Sequence, residues 1–443
     1  MPEMPERAAA ARGRPSLETK VGLHLFPLLI AAYFVAFLDR TNIAFAGPNG
    51  MNDDLGLSPT LYGFAAGVFF IGYILFEVPS NLALVRFGAR RWLARIMATW
   101  GVIACAMAFV PNATWLIVLR VLLGIAEAGL FAGVVLYLTY WFPKQKRARA
   151  VSWFMVALPL SSALGATISG LIIEYWHHFL GLSGWRAMFF LEGLPSVVLA
   201  YVVYRRLPDG PRHATWLEVT EAAQIQANVD VDNATPPGTR LSSARSALAD
   251  PVVVALCFLN FTIAYGLYAL TFFLPTIIGG FENLYDATFS TVATGAITAI
   301  PYAVGAGSML LWSVRTDRAR NQPLHVALPL VLVAISIPLT LYAPGPWTAL
   351  LAVSACAAGV FAAFPAFWTL PSARLTGTAA ATGFALITSV GNSAGFFAPY
   401  VTGWLTDLTR TDRAGLWVTG SIALTGAALA LALGPHLRRP AQD

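Results

Sequence analysis

The chain has 443 residues, 57% of them hydrophobic and only 11% charged, with a formal net charge of +6. A water-soluble domain carries about 25% charged residues, so this chain lacks the charge to cover a water-facing surface, and lipid must be the solvent for most of it. The positive excess sits in short loops between apolar runs, which marks membrane topology and speaks against a nucleic-acid-binding patch.

Segment 1–22 is polar and basic, with Arg7, Arg12, Arg14 and Lys20. It lacks the apolar core and cleavage site of a signal peptide, so the amino terminus is expected to stay in the cytoplasm. Apolar runs then predict helices near 24–46, 60–84, 92–110, 114–141, 148–174 and 185–204, a first six-helix half within 23–204. Each is long enough to cross about 30 Å of hydrocarbon with its own backbone satisfied, and continuous rather than alternating hydrophobicity excludes a β-barrel. Segment 205–250 has mixed charge and holds Pro236, Pro237 and Gly238, so it reads as a cytoplasmic linker. A second half over 251–434 predicts helices near 252–278, 287–312, 323–342, 347–371, 378–404 and 414–434, before a short cytoplasmic tail, 435–443.

Orientation follows from the basic residues of the loops. Arg86, Arg90, Arg91, Arg95, Lys144, Lys146, Arg147, Arg149, Arg315, Arg318, Arg320 and Arg374 gather on one side, against Arg186, Arg410 and Arg413 on the other. Both termini are therefore expected in the cytoplasm. Arg86-Phe87-Gly88-Ala89-Arg90-Arg91 after the second helix is echoed by Asp317-Arg318-Ala319-Arg320 after the eighth, which suggests a duplicated unit whose halves rock about a midplane site. Topology determination alone also accounts for these arginines. Cys105, Cys257 and Cys356 fall in apolar runs without paired spacing and read as small buried hydrophobes; no metal and no cofactor is expected.

A charge at the bilayer centre costs from about 2.5 to over 10 kcal/mol, so each one inside a span needs a partner or a purpose. The first half holds Asp39, Arg40, Glu77, Arg120, Glu127 and Glu192. Counting residues from the outer ends places Asp39 and Arg120 at about 10 Å depth, where they meet if their helices are neighbours, with Glu127 two turns deeper and Tyr73 level with it. These are expected to face one cavity; the alternative is a set of structural salt bridges. Arg40 points about 100° away from Asp39 and is not expected to share that cavity centrally. Glu77, beside Pro79, Ser80, Asn81 and the basic loop, is expected in a structural or gating pair, and Glu192 in a hydrated structural position near the outer end. In the second half, Asn260, Tyr265, Tyr268, Thr271, Tyr302, Trp368, Thr369, Ser389, Asn392 and Ser393 offer hydrogen bonds without charge. Asn392 stands out: an amide is hard to leave in lipid, and Gly391 beside it permits close approach by a ligand or another helix. Trp368 and the tyrosines hint at aromatic substrates, with Trp368 assigned to a gating or structural role.

Several of these residues lie in motifs. Phe37-Leu38-Asp39-Arg40-Thr41-Asn42-Ile43, Gly72-Tyr73-Ile74-Leu75-Phe76-Glu77-Val78-Pro79-Ser80-Asn81, Arg120-Val121-Leu122-Leu123-Gly124-Ile125-Ala126-Glu127-Ala128-Gly129, Tyr140-Trp141-Phe142-Pro143 and Gly391-Asn392-Ser393-Ala394-Gly395-Phe396 with Pro399-Tyr400 closely resemble the anion:cation symporter family of the major facilitator superfamily. The resemblance spans almost the whole chain. It implies an all-α membrane protein with the major facilitator fold, twelve transmembrane helices in two pseudo-symmetric six-helix halves. Carried over position by position, Asp39 and Glu127 resemble the protonation pair, Arg40 and Arg120 their partners or the holders of substrate, and Tyr73 and Asn392 substrate contacts. Val85 stands where the general superfamily loop has an acid, and Ala132 replaces a proline usual after the glutamate, so the fourth helix is expected to bend differently.

The function expected is proton-coupled uptake of a small carboxylate or sugar acid across a bacterial inner membrane, by a monomer whose partners are the organic anion, protons and the bilayer. A buried acid can take a proton outside and release it inside, while an arginine attracts the substrate. A drug/proton antiporter is the rival within transport, although Ala157-Leu158-Pro159-Leu160-Ser161 replaces the Gly-Pro signature of such antiporters in the fifth helix. A non-transporting membrane sensor lacks a soluble signalling domain. An enzyme lacks a Ser/His pair, metal cluster or phosphate loop within the spans.

Overall fold

The computed structural model describes residues 16–176, 178–234, 250–281, 289–317, 321–374, 377–411 and 413–437. Arg7, Arg12, Arg14, Pro236, Pro237, Gly238, Arg318 and Arg320 lie outside the described residues. Among the described residues, twelve helical rods cover the two halves. The first is Leu17–Thr41, continued by Ile43–Ala46; then come Pro59–Phe87, Ala89–Met107, Ala113–Glu127 with Leu130–Leu138, Lys144–Met155 with Ala157–Tyr175, and Gly184–Arg206. The second half holds Pro251–Gly279, Thr291–Asp317, Gln322–Leu341, Pro346–Arg374, Gly377–Thr409 and Arg413–Leu437. The spans expected from hydropathy agree with these rods to within a few residues at most ends.

The rods start where the sequence supplies caps. Ser58 accepts the Leu61 N–H at 3.2 Å, with Pro59 at the first helical position, where a missing donor costs nothing. Asn112 accepts from Trp115 N at 3.2 Å and Asp250 from Val252 N at 2.8 Å. The fourth rod is not one helix: it breaks after Glu127, where Ala128 is extended and Gly129 takes φ +87°. Glycine tolerates that left-handed backbone, and a Cβ there would stand 2.5 Å from the Ser80 hydroxyl. The bend the fourth rod needs is thus made by Gly129 ahead of Ala132, without a proline.

We call inner the face that carries both chain ends. At the outer ends the two halves touch backbone to backbone. A Cβ on Gly403 would lie 2.1 Å from the Pro59 carbonyl oxygen, and one on Gly63 2.1 Å from that of Pro399, so the second and eleventh rods are in direct contact. The fifth and eighth rods do the same, with Gly295 2.5 Å from the Ala166 oxygen and Gly170 2.8 Å from that of Thr291 on the same measure. Carboxylates reinforce both seams: Asp407 accepts from Thr60 N at 2.9 Å and from its hydroxyl, and Glu174 accepts from Val292 N at 2.8 Å. Nearer the inner face, a cleft lined by Met155, Pro159, Leu267, Met309 and Phe364 lies between the halves.

The segment expected only as a linker contains the helix Val219–Ala234, docked beneath the first half. Lys20 Nζ meets Glu221 Oε2 at 2.6 Å, and Trp216 stacks on His24 and Trp141 with centroids 4.2 and 5.7 Å away. Asp209, just past the sixth rod, accepts from Arg90 N at 2.8 Å and so supplies a carboxylate to the loop in which Val85 replaces an acid.

Candidate functional site

Asp39 and Arg40 are adjacent, so the helix turns them into different spaces. Arg40 faces the junction of the halves. Its Nη2 is ion-paired with Glu127 Oε1, and its guanidinium carbon lies 4.9 Å from the Tyr73 ring, 5.2 Å from Phe69 and 6.0 Å from Phe70. The other half contributes Tyr268, whose ring lies 4.5 Å from Phe70. Arg40 Nε and Glu127 Oε2 have no protein partner among the described residues, so the pair keeps one free donor and one free acceptor.

Asp39 turns the other way, into the first half. Its Oδ2 accepts from Trp100 Nε1 at 3.0 Å and Ser196 Oγ at 2.8 Å. The expected meeting of Asp39 with Arg120 does not occur. The fourth rod packs so closely on the second, with Gly124 beside the Phe69 carbonyl, that the Arg120 guanidinium is engaged by backbone oxygens of Ala65, Ala66 and Arg40 at 3.2, 2.9 and 3.5 Å. Arg120 ties the second rod to the first, and Arg40, not expected to share the cavity centrally, takes the central place expected for Arg120.

Glu77 lies one turn below Tyr73 and is buried; among the described residues it forms no ion pair with the basic loop. The arginines of that loop have other partners: Arg95 stacks on Trp92 at 3.9 Å and Arg90 meets Asp209. Glu192 is buried rather than hydrated, its Oε1 accepting from Ser169 Oγ at 2.7 Å.

In the second half, close approach to Gly391 is made by Asn260, whose amide donates to the Ile387 carbonyl at 2.9 Å. Asn392 is half-buried. The eleventh rod meets the second at Pro399 with Gly63, Phe396 with Gly67 and Gly395 with Phe70, and continuing that antiparallel register puts Asn392 level with Tyr73. Trp368 stacks on Phe384 at 5.8 Å within its own half. Sequence reasoning did not single out Trp100, Ser169 and Ser196. The available signal was an indole N–H deep in an apolar run, which has to find an acceptor.

The sequence pattern described as Major Facilitator Superfamily matches residues 29–399. The chain is 41% identical over 414 residues to a protein of Agrobacterium vitis named "Putative tartrate transporter", with 94% of each chain covered. It is 35% identical over 419 residues to a protein of Acinetobacter baumannii named "Quinolone resistance transporter", with 95% of each covered. A solved bacterial homolog to the human lysosomal transporter Spinster, inward-facing and unoccupied, is similar in fold with a TM-score of 0.75, over 97% of this chain and 100% of that one, at 17% identity.

Proposed function

Because the chain belongs to the major facilitator superfamily, we propose that it takes up a small organic anion, a carboxylate or sugar acid, in symport with protons across the bacterial cytoplasmic membrane. It is a transporter and not an enzyme. The observation that carries the reading is the buried Arg40–Glu127 pair at the junction of the halves, ringed by Tyr73, Phe69 and Phe70 with Tyr268 opposite. A guanidinium is a fork that grips a carboxylate with two parallel bonds. When a substrate carboxylate competes for Arg40, the buried Glu127 loses its counter-charge, and protonation removes the cost. Loading of anion and proton is thereby linked at one point. Asp39 supplies a second acid in the first half, Arg120 braces the backbone around it, and Tyr73 and Asn392 face the substrate from opposite halves. Glu77 and Trp368 keep a gating or structural role. Both termini are cytoplasmic, and the monomer contains the whole path. The name of the Agrobacterium relative, at 41% identity, supports a hydroxycarboxylate as cargo.

The name of the Acinetobacter relative favours a second reading, export of an aromatic drug against protons. The two are separated by direction. In proteoliposomes with an imposed pH gradient, a symporter accumulates labelled tartrate or another carboxylate in the alkaline compartment, driven by entering protons. An antiporter drives its cargo into the acidic one. Glu127→Gln mimics the protonated acid, so it is expected to abolish gradient-driven accumulation while retaining exchange of labelled for unlabelled substrate. Undiminished accumulation in that variant would remove Glu127 from coupling.

A further inference from the structure

A second pair of acids lies in the first half, away from Arg40. Asp39 on the first rod and Glu192 on the sixth are 1% and 2% exposed. Each has one oxygen held by neutral donors: Asp39 Oδ2 by Trp100 and Ser196, Glu192 Oε1 by Ser169. The other oxygens, Asp39 Oδ1 and Glu192 Oε2, have no partner among the described residues. Helix geometry sets the two carboxyls about one turn apart, by two independent contacts. Ser196, which donates to Asp39, stands one turn beyond Glu192 on the same helix face. Asn42 stands one turn beyond Asp39, is 1% exposed, and lies beside the Glu192 carboxyl.

Nothing positive balances this pair. No lysine, arginine or histidine forms a salt bridge with either acid among the described residues. The titratable groups of neighbouring elements that act on Asp39 are the Cys105 thiol of the third rod and Glu127, whose carboxylate is paired with Arg40. Two carboxylates in a dry interior without a cation cannot both be ionised at reasonable cost, because each desolvated charge would also repel the other. A small cavity at the junction of the halves, with both apolar and hydrogen-bonding walls, is lined by Leu38, Thr41, Asn42, Phe45, Ser169 and Thr271. Its wall includes Asn42 and Ser169, the two residues that bracket Glu192.

We propose that Asp39 and Glu192 form one proton-binding site that shares a single proton, loaded through the cavity past Asn42 and Ser169. The proton bonds to a carboxylate oxygen of one acid and leaves as H⁺ only when water reaches the pair, so the second negative charge is hydrated as it forms. The proposal rests on the proton-coupled reading above and adds Glu192 as a proton carrier. It adds a second proton address: Glu127 takes a proton when the substrate anion competes for Arg40, and Asp39 with Glu192 holds another one helix face away.

The test is infrared titration of the carboxyl stretch in the purified full-length transporter in liposomes, for the parent, Asp39→Asn, Glu192→Gln and Ser169→Ala, with a parallel measurement of pH-driven carboxylate uptake. The parent pair is expected to titrate in two steps separated by more than about one pH unit, and either amide variant to leave one step at a changed midpoint. Ser169→Ala keeps both acids and guards against misfolding of the amide variants; it is expected to shift the Glu192 band and to move the Asp39 step with it. Gradient-driven uptake by Glu192→Gln is expected to fall at least about tenfold, as for loss of a required proton carrier. If the Asp39 step keeps its midpoint in both Glu192→Gln and Ser169→Ala, the shared site is overturned. If instead the parent shows no pH-driven uptake while the two-step titration stands, the coupled-transport reading fails and the shared proton does not.

Discussion

At the scale of single residues, the two membrane arginines have different work although both are buried cations. Arg120 donates to three carbonyl oxygens of the first two rods, and a lysine ammonium cannot reach them with the same fork. Each hydrogen bond from a charged donor contributes about 1.5–3 kcal/mol, so Arg120→Lys is expected to lower thermal stability by several degrees in scanning fluorimetry, and to impair transport through that loss. Arg40→Lys retains a charge for Glu127 but loses the planar grip. Its expected signature is carboxylate affinity reduced by at least about tenfold at nearly unchanged melting temperature, measured by calorimetric titration. Equal loss of stability in the two variants would show that Arg40, like Arg120, is a brace. Removing a partner outright is harsher: Arg40→Ala leaves Glu127 as an unpaired buried charge and is expected to destabilise by about 3–5 kcal/mol unless the acid takes a proton.

At the scale of elements, the outer seams are built from glycines and two helix caps. The eleventh rod's Asp407 sits on the amino end of the second rod, and the fifth rod's Glu174 sits on the amino end of the eighth. A carboxylate is favoured there by the unpaired N–H groups and the helix dipole. The two caps occupy corresponding places in the two halves and tie them at two symmetric points, so weakening both is expected to loosen the outer side. Asp407→Asn and Glu174→Gln keep the shape and remove the charge; the double variant is expected to raise cysteine labelling of outer-facing positions several-fold. Gly63→Val goes further, because its Cβ would have to stand 2.1 Å from the Pro399 oxygen. That variant is expected to hold the outer side open and stop turnover while the protein stays folded. Gly129→Ala tests the break in the fourth rod: a left-handed non-glycine costs about 1–2 kcal/mol and its Cβ would also crowd Ser80, so a loss of stability larger than that is expected in chemical denaturation.

At the scale of the whole molecule, the halves are joined along the outer seams, and a small apolar cavity lies between them nearer the inner face. The charge distribution sets which side of the membrane each face sees. A cysteine at Asp53 is expected to react with an impermeant reagent from outside the cell and one at Lys146 only from inside; the reverse pattern would overturn the assignment of both termini to the cytoplasm. Equivalent labels at Glu282 and Arg320 lie outside the described residues. The helix Val219–Ala234, fixed to the first half through Lys20–Glu221 and the Trp216 stack, makes the connection between halves a short strut over part of its length. Its position also explains why the segment read as a loose linker: it is polar on most sides, and only the tertiary contact shows which side is covered.

Hydrophobic length and charge scarcity determined the fold class, the twelve spans and their approximate ends, because lipid tolerates neither unpaired backbone nor unneeded charge and both constraints are written locally in the chain. The same argument isolated Asp39, Arg40, Glu77, Arg120, Glu127 and Glu192 as the residues to explain. Which charge meets which was decided only by tertiary structure. Depth along a helix can be counted from sequence, but the partner depends on rotation about the axis and on which helix lies beside it. A turn of about 100° per residue sends Asp39 to Trp100 and Ser196 and Arg40 to Glu127, and close packing at Gly124 leads Arg120 to the carbonyls of Ala65 and Ala66.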